Sequence, residues 1–287
     1  MTSEFLVQKE WMIRLTFFLG ILFVMALWEC VRPAKRLLHG RLQRWPSNLG
    51  VVALNTFLLN SFGVSSAIAF AWVLERTSLG LFHSLNLPHW LSIPLTVIVM
   101  DLAIYLQHLL FHRVPILWKL HRMHHADLDY DVTTGARFHP IEIVLSMGIK
   151  LTVIAALGPP VLGVLAFEII LNGMAMFNHS NVTLPKNLDR VLRWALVTPD
   201  MHRIHHSVRP QETHSNFGFN LSWWDRIFYT YCEESLDKDQ IRIGLPIFRH
   251  PKFLKLRWML AIPFIREISP PLEETHGTER ESFRSGA

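Results

Sequence analysis

Apolar residues in this chain come in long unbroken runs, not in the alternating or one-face patterns of elements that meet water on one side. The first run, Leu15 to Val31, follows Arg14 and leads into a basic segment. It is near the ~20 residues that cross a hydrocarbon core, and no small-residue cleavage site follows it, so it predicts an uncleaved span. Leu49 to Leu74 forms a second run without a charge, and Trp90 to Leu110 a third. Ile143 to Phe177 is long enough for two half-spans or one tilted hairpin. Gly158-Pro159-Pro160 predicts its break, because proline removes a donor and clashes inside a helix. From Asn178 the chain turns polar, except at Leu254 to Phe264, where Lys, Arg and Trp among apolar residues predict an interfacial segment. The Pro-, Glu- and Ser-rich residues from Ser269 predict a disordered tail.

Composition agrees with the pattern. Of 287 residues half are hydrophobic and only 18% charged, with 19 Phe and 10 Trp, and mean hydropathy is +0.24. That balance fits a membrane protein better than a water-soluble enzyme. The segment from Arg32 to Asn48 holds Arg32, Lys35, Arg36, Arg41 and Arg44 and no acid, which places it on the cytoplasmic side. The net charge of +5 is then a property of such loops, and no nucleic-acid motif accompanies it. Cys30 and Cys232 are too few for a disulfide framework or a cysteine metal site. The expected fold is all-α: a multi-pass transmembrane helical protein with a cytoplasmic-side helical cap. The expected divisions are 1–89 (spans and basic loop), 90–250 (the histidine-bearing domain) and 251–287 (interfacial segment and tail).

Histidine changes the picture, with 16 residues, eight of them in three clusters. The first is His108-x₃-His112. The second and third, His121-Arg-Met-His124-His125 and His202-Arg-Ile-His205-His206, share one pattern. At about 100° per residue, Asp101, Tyr105, His108 and His112 fall within roughly 60° on one face of a helix. Each His-x-x-His-His keeps its three imidazoles within an arc of roughly 100°. Neutral imidazole is a good ligand for iron, zinc and copper, and eight histidines exceed the needs of one ion but suit two. His179, where the last apolar run ends, is a ninth candidate ligand. His139 and His214 stay open, while His39, His83, His89, His250 and His276 read as ordinary surface or core residues. Asp101 is placed to accept the second N–H of a ligating histidine. A zinc-protease His-Glu-x-x-His, the paired Glu-x-x-His of carboxylate-bridged sites and the Gly-x-Gly of a nucleotide fingerprint are absent. A non-catalytic metal-binding or metal-transporting membrane protein is the alternative, and a bis-histidine haem protein leaves the repeated boxes unexplained.

Together these boxes, with Asn216-Phe217-Gly218 and Trp223-Trp224-Asp225-Arg226-Ile227-Phe228, resemble the fatty acid hydroxylase / sterol desaturase superfamily over roughly residues 95 to 235. The resemblance implies a membrane oxygenase that uses O₂ to hydroxylate or desaturate a sterol, fatty acid or related lipid. Its active site would face the cytoplasm, of a bacterial inner membrane or the endoplasmic reticulum. It implies two iron ions, with zinc as a substitute, held by His108, His112, His121, His124, His125, His179, His202, His205 and His206. Asp101, Tyr105 and Asp225 are the candidate catalytic side chains. Electrons would come from a separate cytochrome b5-like or ferredoxin-like donor and its reductase. Some members carry a further His-x₃-His ending where His179 stands; here its first position is Ala175. Apolar surfaces on the third span and on Ile143 to Phe177 would admit the lipid.

Overall fold

A computed structural model describes residues 2–61 and 66–266. The expected disordered tail and His276 lie outside the described residues. Among those described, the chain is helical and forms no named strand, only two isolated β-bridges.

The membrane-facing part is built from α1 (Ser3–Val31), α2 (Arg41–Ser61), α3 (Ala67–Thr77), a short α4 (Leu81–Ser84), α5 (His89–Arg113), α7 (Pro140–Leu157) and α8 (Val161–Asn178), with α6 (Pro115–His125) between α5 and α7. Four of these, α1, α5, α7 and α8, are long and apolar enough to cross a bilayer. This is a membrane protein. The first span begins earlier than its apolar run, because Thr2 caps α1 by accepting the Phe5 N–H. Leu49 to Leu74, expected as one span, falls on two helices: α2 ends at Ser61, and Ser66 caps α3 through the Ala69 N–H. Polar Ser61 and Ser66 flank that junction, and competition from serine hydroxyls favours helix ends over interiors.

The break at Gly158-Pro159-Pro160 makes a hairpin of two 18-residue helices. Each is about 27 Å long, close to the full ~30 Å hydrocarbon thickness. Gly158 adopts φ 59° at the C-cap of α7, and a Cβ there would meet the Leu79 carbonyl oxygen at 2.0 Å. Only glycine lets the α3–α4 turn seat against this corner.

α1 and α5 pack against α8, and α3 lies on α7 and α8. Ile68, Ala71, Ile154, Val161, Val164 and Phe167 form the centre of the shared core. Glu168 of α8 is buried between Arg14 of α1 and Lys150 of α7, at 3.3 and 2.5 Å. A charge at this depth needs such partners.

The remaining chain caps one end. It comprises α6, an irregular stretch from Ala126 to His139, and the short helices α9 (Lys186–Leu192), α10 (Pro199–His205), α11 (Pro210–Thr213), α12 (Trp223–Ile227) and α13 (Leu256–Ala261). The expected interfacial segment is more deeply seated than its sequence suggests. Met259 and Ile262 are fully buried against Val51, Met123 and Ala126, and Arg122 donates to the carbonyls of Ile262 and Ile265 at 2.7 and 2.6 Å.

The basic segment is likewise tied to the cap. Arg44, fully buried, donates to Asp127 Oδ1 and Oδ2 at 2.9 and 2.7 Å and to Asp131. Asp129 accepts the Leu38 and His39 amides at 3.0 and 2.7 Å. Glu29 of α1 accepts the Val132 and Asn181 amides, both at 2.7 Å. So alternate acids just after the second histidine box reach back to the first loop, and Arg44 is a structural cation and not a free surface charge.

Candidate metal centre

α5 ends at Arg113, and Pro115 starts α6 at once, its missing N–H costing nothing in a first turn. The tight corner lays His121 and His125 beside His108 and His112. α10 starts from Thr198, whose hydroxyl caps the Met201 N–H, and Pro199. Its seven residues carry His202 and His205, with His206 as the C-cap, so the third box is a helix end and not one face of a long helix. His179 is the C-cap of α8.

The structure collects all nine candidate histidines, every one buried. They form two groups, in each of which the facing atoms lie within 4.8 Å of one another. One group holds His108, His112, His121, His125 and His205; the other holds His124, His179, His202 and His206. The boxes interlock. The second gives its i, i+4 pair to the first group and His124 to the other. The third gives its i, i+4 pair, His202 and His206, to the second group and His205 to the first.

The ring nitrogens show what fits between them. His108 Nδ1 is 2.8 Å from the Phe217 carbonyl, His121 Nδ1 2.7 Å from Glu142 Oε1, His179 Nδ1 2.7 Å from the Ala175 carbonyl, and His205 Nδ1 2.7 Å from the Ser215 carbonyl. Carbonyl and carboxylate oxygens accept, so each of these Nδ1 atoms donates and each Nε2 is left with a bare lone pair. Yet His108 Nε2 faces His121 Nε2 at 3.1 Å. His179 Nε2 faces His124 Nε2 at 3.2 Å and His202 Nε2 at 3.1 Å. Nε2 of His205 and both nitrogens of His206 are buried without a partner. Converging lone pairs repel unless a cation lies between them. Nitrogens bound at ~2.0–2.1 Å sit about 2.9 to 4.2 Å apart on one ion, so each group fits one metal with slight contraction. Burial, more than any neighbour, pushes His121 and His179 down to about 3, which keeps both imidazoles neutral, as ligation requires.

The walls are apolar. Phe138 stacks on His124 with centroids 4.5 Å apart, and Phe217 stands edge-on to His108, His112 and His205.

The three candidate catalytic side chains come together elsewhere, on the segment 216–230. Asp101 accepts the Asn220 and Leu221 amides and the Trp224 indole N–H at 3.2, 3.1 and 2.8 Å. It therefore does not serve a histidine, contrary to the expectation from its helical stripe. Asp225 accepts the Phe217 and Gly218 amides at 2.7 and 2.8 Å and the Thr230 hydroxyl at 2.7 Å; Tyr105 lies 2.8 Å from the same hydroxyl. Burial pushes Asp225 up to about 6 against these hydrogen bonds. The trio fixes the strip whose Phe217 carbonyl orients His108.

His139 caps α7 through the Ile141 N–H at 3.2 Å and joins neither group. His214 also stays outside, its ring 5.5 Å from that of His112. It lines a cavity of about 450 Å³ with His112, Arg113, Trp118, Lys119 and Arg266. This cavity reaches His112 at the α5–α6 corner, at the end of the third span, while the Ile143 to Phe177 hairpin, the other surface expected to admit lipid, does not line it. Glu142 was missed by sequence reasoning; its only signal was an acid in the first turn of a helix beginning His139-Pro140.

The fatty acid hydroxylase family profile matches residues 93–230, which include all nine histidines and the 216–230 strip. Over residues 93–230 the chain resembles the fatty acid hydroxylase family. Alkylglycerol monooxygenase of Xenopus tropicalis is 33% identical to the chain over 151 residues, 53% of this chain and 32% of that protein. Ornithine lipid hydroxylase OlsE of Rhizobium tropici is 28% identical over 145 residues, 50% of this chain and 43% of that protein. Alkylglycerol monooxygenase of Danio rerio is 34% identical over 170 residues, 57% and 35%. The chain thus spans less than half the length of these relatives. No solved structure matches it. The relatives that this segment matches are lipid-modifying oxygenases, and its buried histidine groups could hold metal.

Proposed function

We propose that the chain is a di-iron lipid hydroxylase that acts on an unactivated C–H bond. The observation that carries the reading is two buried groups of converging ring nitrogens, in one of which His108 and His121 face each other with bare Nε2 lone pairs and no proton to share. His108, His112, His121, His125 and His205 would hold one ion, and His124, His179, His202 and His206 the other. When bound, the metal pair supplies reductive O₂ activation, in which R–H, O₂, two electrons and two protons become R–OH and water.

The protein's own part is orientation and exclusion. Glu142 and the carbonyls of Phe217, Ala175 and Ser215 hold the rings by their second nitrogens. Phe138, Phe217 and Phe219 keep water from the rings. Asp101, Tyr105 and Asp225 position the 216–230 strip and do not meet the reacting atoms. A cytochrome b5-like or ferredoxin-like donor would deliver the electrons at the face bearing the cap, which the basic segment from Arg32 to Asn48 marks as cytoplasmic. Relatives named monooxygenase and hydroxylase favour hydroxylation over desaturation.

The test is anaerobic purification in detergent, metal analysis, and turnover of alkylglycerol, ornithine lipid, fatty acid and sterol under ¹⁸O₂ with a surrogate reductant. Two irons per chain, lost in His124→Ala but kept in His139→Ala, with ¹⁸O in one product, is the expected result. Bound metal with no O₂ uptake across the panel would bring the transport reading forward.

A further inference from the structure

The cavity beside His112 has a chemical character that the metal centre does not explain. Arg113, Lys119 and Arg266 stand around it, and among the described residues no carboxylate lines it. None of the three enters an ion pair or hydrogen bond among the described residues. Pro115, Trp118 and Ile265 supply apolar wall, and His112 and His214 the inner end. Unpaired like charges around one opening repel one another, so the arrangement costs stability unless an anion sits among them.

Its place in the fold says which anion. Arg113 is the last residue of α5, a span, so the opening lies where a bilayer changes from acyl chains to phosphates. Beside the lining residues in sequence stand Leu110, Ile116 and Phe264, which are 49%, 66% and 71% exposed. The mouth is thus apolar on its membrane side and cationic at its rim. The rim is also built and not incidental: Arg122, inside the second histidine box, grips the Ile265 carbonyl and so holds the strand of chain that carries Arg266. The volume of about 450 Å³ falls in the range of small-ligand sites. It takes a headgroup and the first part of one chain, with the chain's near carbons towards His112.

We propose that this cavity is the substrate's headgroup site and that it selects a single-chain lipid carrying a phosphate, held by Arg113, Lys119 and Arg266. The proposal rests on the oxygenase reading for what happens next, but not for the binding itself. The test therefore measures binding to the full chain in non-ionic detergent, with metal and after chelation. Two fluorescent probes share one chain: a 1-O-alkylglycerol 3-phosphate and the uncharged 1-O-alkylglycerol. The phosphate probe should bind about tenfold or more tightly, as expected for charge-assisted hydrogen bonds. Arg113→Gln and Lys119→Gln should each cut that preference several-fold and leave the uncharged probe unaffected, and Lys119→Glu should abolish it. Equal affinity for the two probes, or a preference that survives all three substitutions, overturns the proposal. Inorganic phosphate competing at the same concentration as the lipid would also overturn it, by showing a free-anion site. Loss of turnover with the binding preference intact would count against the oxygenase reading alone.

Discussion

At the residue scale, the centre depends on hydrogen bonds that face away from it. A ligating imidazole keeps its tautomer and angle only if its second nitrogen is held. Four of the nine rings have such partners at 2.7 to 2.8 Å, three of them backbone carbonyls and one a side chain, Glu142. That makes Glu142 the partner a mutation can remove without touching the backbone. Glu142→Ala should weaken metal binding by about 10- to 100-fold, read as the chelator concentration that strips half the metal. Glu142→Gln, which keeps an accepting oxygen, should fall between Ala and the parent. Equal retention in all three would reduce Glu142 to packing. The same scale explains why Asp101 serves residues 220–224 and not a histidine. Its helical position on one stripe with His108 and His112 was right, but the nearest donors it meets are the amides and indole of residues 220–224. A stripe gives direction along one helix and says nothing of what a later loop will bring against it.

At the element scale, the stretch between the second box and α7 is irregular backbone next to the site, and it is held by buried charge. Burial alone would raise the Asp127 carboxyl, but Arg44 and then Arg137 outweigh it and hold the carboxyl below its ordinary range. Breaking a buried ion pair from one side strands the other charge, at a cost of about 3–5 kcal/mol. Arg44→Ala should therefore lower the melting temperature more than Arg41→Ala, whose Glu29 contact is longer at 3.6 Å and whose side chain is partly exposed. Arg44→Lys should recover little, since lysine cannot span both Asp127 oxygens and Asp131. Equal melting of the Arg44 and Arg41 variants would deny the anchor. The elements themselves were largely legible: the α5 span, the corner at Gly158-Pro159-Pro160 and the helical boxes all follow from run length, proline and spacing. The division of Leu49 to Leu74 between two helices was not, because an uncharged run carries no mark of where packing will end a helix.

At the scale of the whole molecule, nine buried neutral imidazoles make stability and metal binding respond to acid together. His121 and His179 fall from the ordinary 6.5 to about 3 through burial. Between those values the unfolded chain binds protons that the folded one refuses, so this contribution is full above 6.5 and is lost as pH falls towards 3. The chelated protein should melt at progressively lower temperature from pH 7 to pH 5. Metal should shift the whole curve upward, since it binds only the folded, deprotonated site. A melting temperature flat across that range would mean the imidazoles are already charged or exposed. The sequence by itself determined the membrane class, the helical architecture and the identity of the histidines, because run length and residue spacing are local quantities that survive in one dimension. Only the tertiary structure decided that each repeated box is shared between two groups, that Arg44 is buried, that Glu142 backs His121, and where the cavity opens. Those depend on which surfaces meet, across 21 residues for His121 with Glu142 and across 80 or more for Arg44 with Asp127 or His108 with Phe217, and on the cost of leaving buried charge and lone pairs unmatched when they do.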